Sequence, residues 1–569
     1  MEKSLVLADY IVFIIYFLIV ASYGYWIYKR KQKLQTDTKD FFLAEGSLTW
    51  WAIGASLIAS NISAEQFIGM SGEGFFVGIA VAAYEWIAAL ALVIIAVWFI
   101  PIYLKNKIYT MPQFLTRRYN ETVALIMAIF WLFLYVFVNL TSILYLGAIA
   151  INGLVGGDYL HIIMLGLAAF ALVITLGGMK VIGYTDVIQV AVLIIGGLAT
   201  TYMALTLVSE SFGLGKNAIA GFNQLLKEAP GHFKMILDKP TADSPQIDVD
   251  KYLVLPGIAM YFAGQWIVNL NYWGCNQYIT QRALGADLNT ARTGILFAAF
   301  LKLMMPVIVM LPGIAAYVLY KNGDLPQLAN GSKDGAYSAI LSFLPSGLKG
   351  LSVAALTAAI VASLAGKLNS ISTIFTLDIS KKYFNKNSTE KQMVWIGRMT
   401  VVVSTVIALI FTWEDLLGIG GEGGFTFIQK YTGFISPGVF AMFILGMFWK
   451  RTTGAAAIAG VLTGFILSVV FNVYAPEWFG NETWLYTAYK TTEMVGGEAR
   501  EVYQIPFLIC MGWAFFFTMA IMIAISLAGP KINPKAFELD TEMFKLKPQT
   551  IVLIVLILMV LAALYIKFW

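Results

Sequence analysis

Runs of about 20 apolar residues recur along this chain, near 7–28, 51–72, 78–104, 121–152, 159–177, 183–209, 252–275, 293–320, 348–377, 395–413, 425–448, 454–474, 504–528 and 549–567. Backbone in hydrocarbon must satisfy its own hydrogen bonds, so runs of this length read as membrane-crossing helices. Only 12% of residues are charged, about half the usual share. The expectation is an all-α membrane protein with about 14 transmembrane helices. The first run, from about Leu5 to Tyr28, is too long for the apolar core of a signal peptide and has no cleavage site. It reads as a retained span.

The positive-inside rule orients the chain. With the N-terminus outside, 23 of the 38 lysines and arginines fall in inside loops, 12 in outside loops and 3 within spans. Those three are Lys302, Lys367 and Lys430. Both termini are then outside, in a multi-pass protein of the plasma membrane, which for a bacterial chain is the inner membrane. The net charge of +5 comes mostly from lysines beside spans and points to no nucleic acid. Two histidines (His161, His232) and two cysteines (Cys275, Cys510) cannot build a zinc or haem site. No nucleophile–base motif suggests an enzyme, and no obligate protein partner is evident. The chain reads as a single transmembrane domain over 1–569, with 210–250 and 474–503 as outside caps.

Two of the apolar runs are interrupted by polar residues. The first holds Ser60, Asn61, Ser63, Glu65 and Gln66; the second holds Asn269, Asn271, Asn276 and Gln277, about 200 residues later. Polar groups at mid-membrane are costly and must face protein, water or cargo. Broken helices at the midplane are a device by which secondary transporters expose carbonyls to a cation and side chains to a solute. If 51–209 and 252–448 are five-helix units, each begins with its broken helix, and the two are inverted. A leading helix (7–28) and three trailing helices (454–567) flank them.

The run Ala55–Met70, ASLIASNISAEQFIGM, resembles the sodium:solute symporter family. So do Tyr84-Glu85-Trp86, the stretch Tyr184–Gln189, Tyr272-Trp273-Gly274 followed by Asn276-Gln277-Tyr278, Phe300-Leu301-Lys302, Phe427-Ile428-Gln429 and Phe448–Thr453. The resemblance covers nearly the whole chain, apart from the outside loops, and its polar motifs match the sugar-carrying branch. It implies a leucine-transporter type fold, a 5+5 inverted repeat with one leading and three trailing helices. It also implies sodium-coupled symport of a hexose of the galactose/glucose class by alternating access. Another neutral polyol such as an inositol, carried with sodium or protons, and a sugar sensor without accumulation are the competing readings.

Family resemblance places solute contacts at Gln66, Glu85, Asn269, Lys302 and Gln429, with Asn61 beside them. The types suit a hexose, whose hydroxyls both donate and accept. Tyr272 and Trp273 resemble an inner gate; Met70, Tyr84 and Phe425 resemble an outer one. Sodium is expected on the carbonyls of Ala59, Ile62 and Ala359 and the hydroxyl of Ser363, with Asp186 on the inward exit path. Several positions depart from the family pattern. Ala88 stands where a serine is expected near the sugar, and Asn271 stands where a tyrosine precedes the gate. Ala362 removes one hydroxyl from the sodium site, and Lys367 replaces an apolar residue one turn beyond Ser363. An intramembrane lysine calls for a partner, and Asp186 is the expected one.

Overall fold

The computed structural model describes residues 5–31, 48–63, 65–155, 159–325, 333–414, 416, 424–495 and 498–569. Helix occupies most of every apolar run read from the sequence. Among the described residues, however, ten helices are long and apolar enough to cross a membrane, or eleven if one sharply bent pair counts as a span. Four of the fourteen expected runs account for the difference. The 51–72 run breaks after Asn61. The 252–275 run is the bent pair, Gln246–Phe262 and Gly264–Cys275, meeting at 82°. The 425–448 run divides into Gly424–Gly433 and Ser436–Phe448, with Pro437 opening the second piece, where its fixed φ costs nothing. Leu160–Leu176 is helical over only 17 residues.

The chain clusters into two units, each drawn from three stretches of sequence. The first takes Met1–Ile79, Met127–Phe233 and Gln277–Phe427. Its centre is helix Leu348–Phe384, buried without interruption from Ser352 to Thr373. Apolar side chains gain little by leaving lipid for one another, so such helices associate where small residues let backbones close in. A Cβ added at Gly197 would lie 2.0 Å from Cγ2 of Ile308, and one at Gly54 would lie 2.7 Å from the carbonyl of Gly294. Only glycine permits either approach. Leu7–Lys31 is pinned to this unit through Asp9, whose Oδ1 accepts from the amides of Gly347 (2.7 Å) and Gly350 (3.0 Å). Those amides open helix Leu348–Phe384, where an anion meets both unsatisfied donors and the positive end of the helix dipole.

The second unit takes Ala80–Ile126, Lys234–Asn276 and Ile428–Trp569. Its fully buried guanidinium, Arg118, donates to the carbonyls of Gly446 (2.7 Å), Trp449 (3.0 Å) and Thr452 (3.0 Å). Gly446 lies in the last turn of helix Ser436–Phe448, whose closing carbonyls lack helical partners, and Trp449 and Thr452 lie in the segment that follows it. The Phe448–Thr453 motif therefore has a structural use. The cap expected over 474–503 is partly β, a departure from an all-α chain. Tyr489–Val495 pairs antiparallel with Glu498–Gln504, with Tyr489 opposite Gln504 and Val495 opposite Glu498. Two glycines stand between the strands in the sequence. The last helix, Pro548–Phe568, exposes Ile551, Val552, Leu556 and Met559, an apolar face suited to acyl chains.

Candidate solute and ion sites

In the first unit the broken helix carries the site. Helix Trp50–Asn61 ends at Ile62, which is extended (φ −80°, ψ 109°), and a wider π-helical turn resumes at Glu65–Met70. Continuing the helix would give the amide of Ser63 to the carbonyl of Ala59 and that of Gln66 to Ile62. Instead the Ser63 amide donates to the side-chain oxygen of Gln66 (3.0 Å), and the Gln66 amide donates to the carbonyl of Ser63 (3.2 Å). Among the described residues no main-chain amide replaces them. The carbonyls of Ala59 and Ile62 are thus released, in the chemistry a hard cation wants: oxygen without formal charge.

Ser363 stands at this break. Its hydroxyl donates to the carbonyl of Ser60 (3.1 Å). Ala359 lies one turn earlier on the same buried helix. Two halves of the expected ion site, the unwound segment and the Ser363 hydroxyl, are therefore brought together.

Asp186 departs from expectation in its partner. Its Oδ2 accepts from the Ser56 hydroxyl (2.5 Å) and lies 3.8 Å from Nη2 of Arg282; both charged side chains are 1% exposed. Ser56 also accepts from Nε of Arg282 (2.8 Å), so one hydroxyl bridges guanidinium and carboxylate. The pairing of Asp186 with Lys367 is corrected accordingly. Arg282 lies on Gln277–Leu284, all of it buried, so a helix that looks like part of an inside loop reaches the protein interior. Lys367 is 2% exposed. Its Nζ donates to the Ser363 hydroxyl (3.2 Å) and lies 4.7 Å from the ring centre of Tyr278.

Of the solute residues in this unit, Lys302 is 1% exposed and donates to the side-chain oxygen of Asn61. Helix Leu288–Val309 delivers it to the break, held close by the Gly54–Gly294 approach. Gln66 is occupied in closing the break. Of the outer gate, Met70 is buried, and Phe425 lies against the turn before it: a Cβ on Gly69 would meet that of Phe425 at 2.6 Å.

In the second unit Glu85 and Tyr84 are buried on helix Ile79–Lys105. Asn269 is buried on Gly264–Cys275 and donates back to the carbonyl of Gln265 (2.9 Å). Asn271 donates to the hydroxyl of Ser436 (3.1 Å), so the residue replacing an expected tyrosine ties two helices. Tyr272 and Trp273 pack edge to face, their ring centres 5.2 Å apart. The tyrosine remains partly accessible, and Trp273 is buried. Tyr103 donates to the carbonyl of Gly274 (2.7 Å) and holds the end of the gate helix. Gln429 is partly exposed.

Sequence reasoning missed Arg282 and Tyr278. The available signal was the polar run Gln277–Arg282 directly after the second broken helix, which extends the polar interruption rather than ending it.

Comparison with known proteins is consistent along the whole chain. The sequence model of the sodium:solute symporter family matches residues 41–464. The chain is 43% identical to a sodium/glucose cotransporter of Vibrio parahaemolyticus, over 100% of this chain and 99% of that one. It is 33% identical to the human sodium/myo-inositol cotransporter 2, over 82% of this chain and 70% of the relative. A solved structure of a sodium-coupled sialic acid symporter, in a substrate-bound outward-open state, superposes with a TM-score of 0.76. It covers 93% of this chain and 99% of its own at 18% identity, which places the two in one fold.

Proposed function

Because the chain belongs to the sodium:solute symporter family, we propose that it carries a hexose of the galactose/glucose class into the cell together with sodium, by alternating access. The observation that carries this reading is the break after Asn61. It frees the carbonyls of Ala59 and Ile62 beside Ser363 and sets Lys302 and Asn61 at the same turn. Sodium is held by those two carbonyls, by that of Ala359 and by the Ser363 hydroxyl. It leaves inward past Asp186. The hexose is held by Gln66, Glu85, Asn269, Lys302 and Gln429, with Asn61 supporting Lys302. Tyr272 and Trp273 close the inner side; Met70, Tyr84 and Phe425 close the outer.

In this reading the membrane holds fourteen helices: an inverted repeat of 51–209 and 252–448, a leading helix at 7–28 and three trailing helices within 454–567. Both termini face outward from the plasma membrane, the inner membrane in a bacterium.

The test is uptake of labelled galactose, glucose and myo-inositol into proteoliposomes under an inward sodium gradient, with potassium as control. Accumulation of a hexose with sodium only supports the proposal. Accumulation of inositol alone favours the second reading, which the 33% identity to inositol cotransporters recommends. Uptake driven by a proton gradient and indifferent to sodium defeats the ion assignment. Bound sugar without accumulation defeats symport in favour of a sensor.

A further inference from the structure

We propose that the crevice between helices Leu7–Lys31, Val181–Ser211 and Leu348–Phe384 is a site for the head group of phosphatidylethanolamine, a zwitterionic phospholipid with a primary ammonium. The inference is independent of which solute and ion the chain carries.

The crevice holds about 720 Å³, and all of its lining belongs to the first unit. It lies where the first of these helices begins, the second ends and the third begins, at Leu7, Ser211 and Leu348. Helices that cross a membrane begin and end at head-group depth, so the crevice opens at that level. Tyr202, Leu207 and Phe343 give it an apolar wall. Among the described residues, four charged side chains line it: Asp9, Glu210, Lys216 and Lys349. Their formal charges sum to zero, which suits a zwitterion better than an anionic or a cationic ligand.

Two of the four present their charges at the surface of the crevice. Nζ of Lys216 and Oε1 of Glu210 lie 3.7 Å apart, with side chains 81% and 38% exposed. Such a solvated pair contributes little by itself, so each partner can take a second one at small cost. Phosphoethanolamine laid antiparallel along the pair sets its phosphate against the lysine and its ammonium against the glutamate. The four charges then alternate in sign. Asp9 decides where the phosphate goes. Its carboxylate accepts from the amides of Val6 (3.1 Å), Gly347 (2.7 Å) and Gly350 (3.0 Å). It therefore already fills the helix terminus that would otherwise draw an anion, and the phosphate is left to Lys216.

Apolar faces lead from the crevice into the hydrocarbon. Ile11, Ile14 and Leu18 on the first helix, and Tyr202, Leu198 and Ile195 on the second, are exposed at spacings of three and four residues. The two helices pack on each other, and acyl chains can lie along both. A lipid covers these faces, whereas a soluble phosphoethanolamine would leave them bare. The ammonium sets the lipid class. A primary ammonium has protons to donate to the Glu210 carboxylate; the quaternary nitrogen of choline has none, and a glycerol head group has no cation.

The experiment is native mass spectrometry of the purified full chain, delipidated in detergent and titrated with phosphatidylethanolamine, phosphatidylcholine and phosphatidylglycerol of identical acyl chains. The wild type is expected to hold one phosphatidylethanolamine about fivefold more tightly than either of the others. Glu210→Gln should erase the preference over phosphatidylcholine. Lys216→Gln should weaken both zwitterionic lipids alike, since both carry the phosphate. Neither side chain is buried, so neither variant threatens folding. A wild type that holds the three lipids equally, or variants that keep its preference, overturn the proposal. So does glycerophosphoethanolamine, the head group without its chains, if it competes as strongly as the lipid, since the ligand would then be a solute. Each outcome is read without sugar or sodium, so none of them bears on the transport reading.

Discussion

Asp186 and Arg282 form a pair that neither member can leave cheaply. Both side chains are 1% exposed, and the Ser56 hydroxyl ties them together. Removing one partner of a buried pair leaves an uncompensated charge, at a cost of about 3–5 kcal/mol, whereas removing both is often close to neutral. Asp186→Asn should therefore lower the unfolding midpoint in detergent sharply, and Asp186→Asn with Arg282→Gln should recover most of the loss. A double variant as unstable as the single one would mean that the carboxylate does something other than balance Arg282. Lys302 makes a second case. Its ammonium is spent on Asn61 at the break, so Lys302→Met should abolish sugar uptake while leaving the sodium-induced fluorescence change. What the sequence made legible at this scale was the residue set along each helix. Ser363 and Lys367 lie one turn apart, and periodicity alone put them on one face. What stayed hidden was the partner across helices. Asp186 and Arg282 are 96 positions apart, and no pattern in one dimension prefers Arg282 over Lys367.

At the scale of elements, the broken helices were legible because polar residues in an apolar run have few tolerable placements. The hairpin was not, because Tyr489–Gln504 lies in a stretch whose turns and aromatic residues also suit short helices. Two element-level outcomes follow from packing and capping. Gly197→Val would drive methyls into Ile308 and part Val181–Ser211 from Leu288–Lys321. Overpacking of this kind costs about 1–3 kcal/mol. A lowered unfolding midpoint is expected, with uptake per folded molecule reduced; an unchanged midpoint would mean the helices are not held at this distance. Asp287 caps helix Leu288–Val309, accepting from the amides of Asn289 (3.0 Å) and Thr290 (3.2 Å). The hydrogen bond from the Thr290 hydroxyl, aided by those amides, holds its carboxyl below the usual carboxylate range. A depressed folded-state pKa contributes stability above the unfolded value, about 3.9, and that stability is lost as pH falls through the folded value. Asp287→Ala should thus cost about 1 kcal/mol near neutral pH. The gap between the two unfolding midpoints should narrow toward about pH 3, below the unfolded carboxylate value. A gap independent of pH would assign the effect to helix propensity alone.

For the molecule as a whole, family and fold were legible because the motifs run along nearly the full length and each has a place in the architecture. Which runs form one continuous long helix was not, because a run's length in sequence does not report whether its helix bends. Symport adds a constraint that no single contact supplies. On the site assignment proposed above, sodium at the break after Asn61 and a hexose at Lys302 and its companions must each stabilise the arrangement the other prefers. Linkage then makes the coupling reciprocal: whatever factor sodium adds to sugar affinity, sugar adds to sodium affinity. The two factors are measured separately, by sugar titrations at low and saturating sodium and by sodium titrations with and without sugar. They should agree within error in the wild type. The driving force sets the scale of the result. One net charge crossing about 100 mV supplies roughly 2.3 kcal/mol, enough for accumulation on the order of 50-fold. Sugar accumulation should therefore rise with an inside-negative potassium diffusion potential at fixed sodium gradient. Accumulation blind to that potential would mean the cycle moves no net charge, and sodium would have to exchange for another cation rather than travel with the sugar alone.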